Sequence, residues 1–113
     1  MGATDNPARY AYLAVQRLKS HGHEVLAFGR HEGIVNGVQI KKELPEDKNI
    51  DTVTLYLNPT NQEPYLDYII NLHPKRIIYN PGTENPKLME MAKKNGITNE
   101  IGCTLVMLSI GIY

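Results

Sequence analysis

The sequence predicts a doubly wound α/β protein, with a mostly parallel sheet of about five strands lying between two layers of helices. Three observations carry this expectation. Short β-branched or aliphatic runs alternate with segments of helical periodicity, and the connections between them are short. Several apolar runs end at glycine or at Asn-Pro, the punctuation of a strand-to-helix turn. A strand-helix-strand order with short links implies right-handed crossovers, and therefore parallel strands.

The first helix is expected to start at Asn6-Pro7, with Asn6 as its cap and Pro7 at a position where a missing N–H costs nothing. Ala11, Ala14, Val15 and Leu18 recur at helical spacing, and Gly22 ends the segment. Glu24-Val25-Leu26-Ala27-Phe28 reads as a buried parallel strand that stops at Gly29-Arg30. Residues 32–48 are the least regular. Gly33, Gly37 and Pro45 punctuate them, and Val38 and Ile40 alternate with polar neighbours as in a short edge strand, so the segment reads as a connection with a brief extended piece.

Residues 51–57 form a clear strand ending at Asn58-Pro59, and Thr60 with Glu63 has the spacing of a capping box. Pro64 is tolerable in the first turn of the helix that follows, whose apolar face is Tyr65, Leu66, Ile69, Ile70 and Leu72. Pro74 stops it. Arg76-Ile77-Ile78-Tyr79 is the next strand and ends at Asn80-Pro81-Gly82. Asn85-Pro86 repeats the cap-plus-proline start, with Leu88, Met91 and Ala92 as a buried stripe and Asn95-Gly96 as the end. Residues 97–101 supply a last short strand and 105–108 a closing helix. With no linker and no low-complexity tract, a single domain over residues 1–113 is expected.

At 113 residues, 42% hydrophobic and 21% charged, the composition is that of a globular protein. No apolar run approaches the ~20 residues of a membrane span, and no basic-then-apolar leader opens the sequence. Twelve basic residues balance twelve acidic ones, so no net field draws in nucleic acid or a membrane surface. The single cysteine, Cys103, excludes an internal disulfide and cannot alone build a thiolate zinc site. A cytoplasmic setting and a small-molecule partner fit these facts. A homodimer is compatible with so small a domain.

In doubly wound sheets ligands sit outside the carboxyl ends of the strands. Asn58-Pro59 and Asn80-Pro81 would both stand there, where asparagine offers a donor and an acceptor. The plain alternative is that Asn-Pro simply makes a good strand-to-helix turn. Gly2-Ala3-Thr4-Asp5-Asn6-Pro7 precedes a helix amino terminus, where small residues let backbone N–H groups approach a phosphate. Arg9 and Tyr10 could add a charge-assisted contact and a stacking surface, although an ordinary capped helix start explains the same pattern. Arg30, just after Gly29, suits the 3′-phosphate of coenzyme A or the 2′-phosphate of NADP better than NAD; a solvated surface arginine is the alternative.

Catalytic constellations are missing from the pattern. His21, His23, His31 and His73 show no H-x-x-x-H or H-E-x-x-H spacing, and Ser20 and Ser109 lack the glycines of a nucleophile elbow. Cys103, between Gly102 and a helix start, would be reactive if the helix terminus lowers its pKa; a buried inert cysteine is the alternative.

The ordered set Gly2-Ala3-Thr4-Asp5-Asn6-Pro7-Ala8-Arg9-Tyr10, Gly29-Arg30, Leu57-Asn58-Pro59, Tyr79-Asn80-Pro81-Gly82-Thr83 and Gly102-Cys103-Thr104 resembles successive landmarks of small stand-alone bacterial CoA-binding proteins. Their domain is similar to the CoA-binding domain of the succinyl-CoA synthetase alpha subunit. The resemblance spans essentially the whole sequence. It implies a three-layer Rossmann-like fold with CoA lying across the carboxyl edge of the sheet. By position, Gly2, Ala3, Thr4, Arg9 and Tyr10 would hold the phosphate region, and Gly29 and Arg30 would lie near the adenosine 3′-phosphate. Asn58, Pro59, Asn80, Pro81 and Gly82 would line the crevice, with Cys103 at its inner end. The resemblance also implies an apolar first strand leading into the phosphate loop, whereas only Met1 precedes Gly2. The expectation is that this strand is missing from the sequence, in residues upstream of Met1. The implied function is non-catalytic binding of CoA or acyl-CoA. An NADP- or other nucleotide-dependent enzyme, and an interaction module with a vestigial site, remain open alternatives.

Overall fold

The structure is a computed structural model and describes residues 1–46 and 49–113. Asp47 and Lys48, at the end of the 32–48 segment expected to be a connection, lie outside the described residues. The chain divides into two compact units, Met1–Glu46 with Thr104–Tyr113, and Asp47–Cys103. Each is an α/β assembly of short strands and helices, and the second carries a wholly parallel sheet.

In the first unit, Asn36 and Gly37 take positive φ of 48° and 79°, and the turn they make folds the chain into a hairpin. Its arms are β2 (Gly33–Val35) and β3 (Val38–Lys41), paired antiparallel with Gly33 opposite Ile40. β1 (Ala27–Phe28) pairs parallel with β3, giving the order β1-β3-β2. The stretch expected to be a connection with an edge strand is therefore a hairpin, and β3 is the middle strand. Two-sided pairing buries Ile40 completely, which sequence alternation alone does not reveal. β1 is shorter than the expected 24–28 because only two residues reach β3.

Helix α1 spans Tyr10–Ser20 and buries Ala11, Ala14, Val15 and Leu18, the expected stripe. It starts three residues later than Asn6-Pro7 implies. Asn6 Oδ1 accepts from the Ala8 amide (3.0 Å) and Asn6 O from the Arg9 amide (3.1 Å), so Asn6 closes a separate turn before the helix. Gly22, at φ 83°, ends α1 as expected. Val15, Ala27, Val35, Val38 and Ile40 form this unit's core, with Ala3, Tyr12 and Val25 packed against it. A closing helix α5 (Thr104–Ser109) packs on α1.

The second unit holds β4 (Thr52–Leu55), β5 (Arg76–Tyr79) and β6 (Thr98–Ile101), all parallel in the order β4-β5-β6. Between β4 and β5 run α2 (Pro59–Gln62), a 3₁₀ turn (Glu63–Tyr65) and α3 (Leu66–Asn71). The expected capping box is replaced by Asn58, whose Oδ1 accepts from the Asn61 amide at 2.8 Å, with Pro59 as first helical residue. α4 (Pro86–Lys94) begins as its sequence implies, capped by Asn85 Oδ1 on the Lys87 and Leu88 amides. Val53, Leu55, Ile69, Ile77, Ile78, Leu88 and Ala92 are buried. The Tyr79 phenol donates to Asn99 Oδ1 (2.8 Å), and burial pushes its pKa far above the usual range, so it remains a donor.

A buried polar network fixes the ends of β4 and β5. Gln62, fully buried, donates through Nε2 to Leu57 O (2.7 Å) and Thr83 O (2.8 Å), and accepts from Asn85 Nδ2 (3.0 Å). Asn80 Nδ2 donates to Thr54 Oγ1 and Leu55 O, both at 2.8 Å, and Thr83 Oγ1 donates to Asn80 O at 2.7 Å. Each bond satisfies a group that would otherwise be buried at a cost.

Replacing Gln62 with leucine, similar in volume but unable to donate or accept, should lower the unfolding free energy by about 3 kcal/mol in denaturant titration. A loss below about 0.5 kcal/mol would show that the network is dispensable. A second expectation concerns the exposed Asp51, whose carboxyl is held below its ordinary pKa of 3.8 first by the Thr52 hydroxyl (2.7 Å). A depressed acid contributes stability above its ordinary pKa and loses it as pH falls through the folded-state value. Thr52→Val should return the Asp51 titration, followed by carboxyl NMR, toward the ordinary value; an unchanged midpoint would contradict the assignment.

Candidate functional site

A parallel sheet gathers its carboxyl ends along one edge, and Leu55, Tyr79 and Ile101 stand side by side there in register. The segments just beyond them carry the second unit's candidates: Asn58 and Pro59, Asn80 to Gly82, and Cys103. The structure thus brings these residues to one edge. Their roles differ, however. Asn80 is buried, and both hydrogens of its side-chain amide bond to β4, so it ties strands together through the donors expected to face a ligand. Asn58 is exposed, spends its Oδ1 capping α2, and keeps its amide nitrogen without an intramolecular partner among the described residues.

Pro81 and Gly82 occupy the corners of a turn closed by Thr83 N–H on Asn80 O (3.0 Å), with Gly82 at φ 89°. That is the pattern of a type II turn, in which the second corner favours glycine. The Gly82 amide donates to Glu84 Oε1 at 2.8 Å and is not available to a ligand. Cys103 is a half-buried free thiol immediately before α5. Gln62, Thr83 and Asn85, which shape the same edge, were not candidates from sequence, since their partners lie 21 to 23 residues away in the chain.

The first unit assembles the loop at residues 2–6 on the end of β1. The amides of Gly2 and Ala3 both donate to Phe28 O at 2.9 Å. Ala3 packs on the core, and its carbonyl oxygen would lie 2.2 Å from a Cβ on Gly29. Gly29 therefore serves close backbone approach. The N–H groups of Gly2 and Ala3 are thus both engaged by Phe28 O. Thr4 Oγ1 accepts from the Asn6 amide at 3.2 Å. The amides of Thr4 and Asp5, by contrast, have no intramolecular partner among the described residues.

Arg9 takes the cap position of α1 without a side-chain cap bond, so the first-turn amides of Tyr10, Ala11 and Tyr12 also lack an internal acceptor. Tyr10 is 74% exposed. Arg9 and Arg30 are exposed and make no ion pair among the described residues. Free amides at the start of an eleven-residue helix, with two unpaired guanidinium groups in the same unit, suit an anionic ligand. Among the described residues no group of three His, Cys, Asp or Glu could hold a metal ion, and no helix is long and apolar enough to cross a membrane.

The profile of a family described as CoA binding domain matches residues 1–109. A crystal structure described as that of an uncharacterized protein is 56% identical, with a TM-score of 0.95, covering 99% of this chain and 93% of that one. A protein from Thermus thermophilus superposes with a TM-score of 0.86 at 20% identity, over 100% of this chain and 87% of that one. A hypothetical protein from Pyrococcus horikoshii OT3 gives 0.84 at 22% identity, over 98% and 79%. The last two show likeness of fold. No curated protein matches the chain.

Alanine at Gly29 should force the Ala3 backbone to move and lower stability by about 1–3 kcal/mol, read by chemical denaturation. A variant as stable as the parent would refute the close approach.

Proposed function

The chain belongs to the CoA binding domain family, and from that premise we propose that it is a binding module for coenzyme A or acyl-CoA with no chemistry of its own. The observation that carries the reading is the division of donors in the residue 2–12 segment. Gly2 and Ala3 anchor the loop, leaving the Thr4 and Asp5 amides and the first turn of α1 for an anion such as the pyrophosphate. Arg30 is the candidate for the adenosine 3′-phosphate, since a guanidinium can bind a phosphate through two parallel hydrogen bonds. At the carboxyl edge of β4 and β5, Asn80, Gln62, Thr83 and Asn85 are committed to one another. Groups so committed hold a shape and are poorly placed to move protons, which supports binding without catalysis.

Titration calorimetry with CoA, dephospho-CoA, NADP and NAD tests this. CoA should bind most tightly, and removing the 3′-phosphate or substituting Arg30→Ala should each weaken binding by roughly tenfold. The two losses should not add, because each removes the same contact. A preference for NADP with turnover would replace the reading with that of a nucleotide-dependent enzyme, and failure to bind any of the four would replace it with that of an interaction module whose site is vestigial.

A further inference from the structure

Asp5 stands in the loop whose free amides face no internal acceptor, yet it carries a negative charge that would oppose a bound phosphate. Its carboxylate lies against Gly33, the first residue of β2: a Cβ on Gly33 would be 2.6 Å from Asp5 Oδ2, 2.9 Å from Cγ and 3.0 Å from Cβ. Gly33 does not owe its identity to a positive φ, since the glycines at positive φ are elsewhere in the chain. What requires a small residue there is the side chain seated over it. The loop is thus held at two places, with the Ala3 carbonyl over Gly29 and the Asp5 side chain over Gly33.

We propose that Asp5 and Gly33 form a positioning pair that fixes the residue 2–6 loop in its phosphate-accepting shape and parks the Asp5 carboxylate against the β2–β3 hairpin. The inference rests on reading this loop as the phosphate site. Rotation of the side chain relieves the overlaps at Oδ2 and Cγ, but Asp5 Cβ, 3.0 Å from the added methyl, must also give by a few tenths of an ångström, and the loop backbone moves with it. A methyl group at position 33 therefore has two consequences: it displaces the free Thr4 and Asp5 amides, and it releases a carboxylate beside them. Both weaken anion binding. Neither touches the hydrophobic core.

The test is a double-mutant cycle on the full chain. Gly33→Ala should weaken CoA binding by about tenfold in calorimetry, and Asp5→Gly introduced into that variant, which removes Oδ2, Cγ and Cβ together, should restore most of it. Circular dichroism and melting should show both variants folded. The amide NMR signals of Thr4 and Asp5 in ligand-free protein supply a readout independent of CoA: the Thr4 signal should move in Gly33→Ala and return in the double variant. Unmoved signals, or CoA affinity in Gly33→Ala equal to that of the parent, would overturn the pairing. A parent protein that fails to bind CoA while these signals still move and return would instead overturn the phosphate-site reading and leave the loop lock standing.

Discussion

The missing side chain at Gly29 is the constraint from which the organisation of the amino-terminal loop follows. With no Cβ there, the Ala3 carbonyl passes within contact of the end of β1, and the Gly2 and Ala3 amides converge on Phe28 O. Those three contacts determine which backbone donors are consumed and which stay open. A loop free of such anchoring would have to be ordered by its ligand, at an entropic cost set against affinity. Here the ordering is completed in folding, and the open amides of Thr4, Asp5 and the first turn of α1 are presented by a loop already shaped.

The second unit reaches preorganisation by another route. Its carboxyl edge is built from polar side chains, and the low-dielectric surroundings of Gln62, Asn80, Thr83 and Asn85 make an unpaired group costly. Each has a partner, and together they lock the chain leaving β4 to the chain leaving β5. The remainder of that edge, Asn58, Pro59 and Pro81, is exposed to solvent. Side chains committed in this way hold the shape of the strand ends.

Much of this was legible in the sequence wherever the governing interaction is local. Asn85-Pro86 announced α4 because the cap bonds only two and three residues ahead. The strand at Arg76–Tyr79 was legible because burial on both faces leaves a continuous apolar run. Asn6-Pro7 misled by three residues because the same Asn side chain can close an isolated turn as readily as cap a helix. Asn36-Gly37 carries a hairpin signal, but Gly33 and Pro45 make the whole stretch resemble a loop. The seats at Gly29 and Gly33, and the two amide hydrogens that Asn80 gives to β4, depend on contacts 25 or more residues apart in sequence, which no local pattern encodes.

Family membership supplies the class of ligand, and the geometry supplies the donors that would meet it. The two are joined by the claim that Thr4, Asp5 and the first turn of α1 receive phosphate while Gly2 and Ala3 only anchor. The most direct measurement is a ¹⁵N NMR titration with CoA, read at each amide. The account predicts that Thr4, Asp5, Tyr10, Ala11 and Tyr12 show the largest downfield shifts, with Gly2 and Ala3 still protected from hydrogen exchange by their bonds to Phe28. Shifts confined to other residues, or loss of that protection on binding, would contradict it.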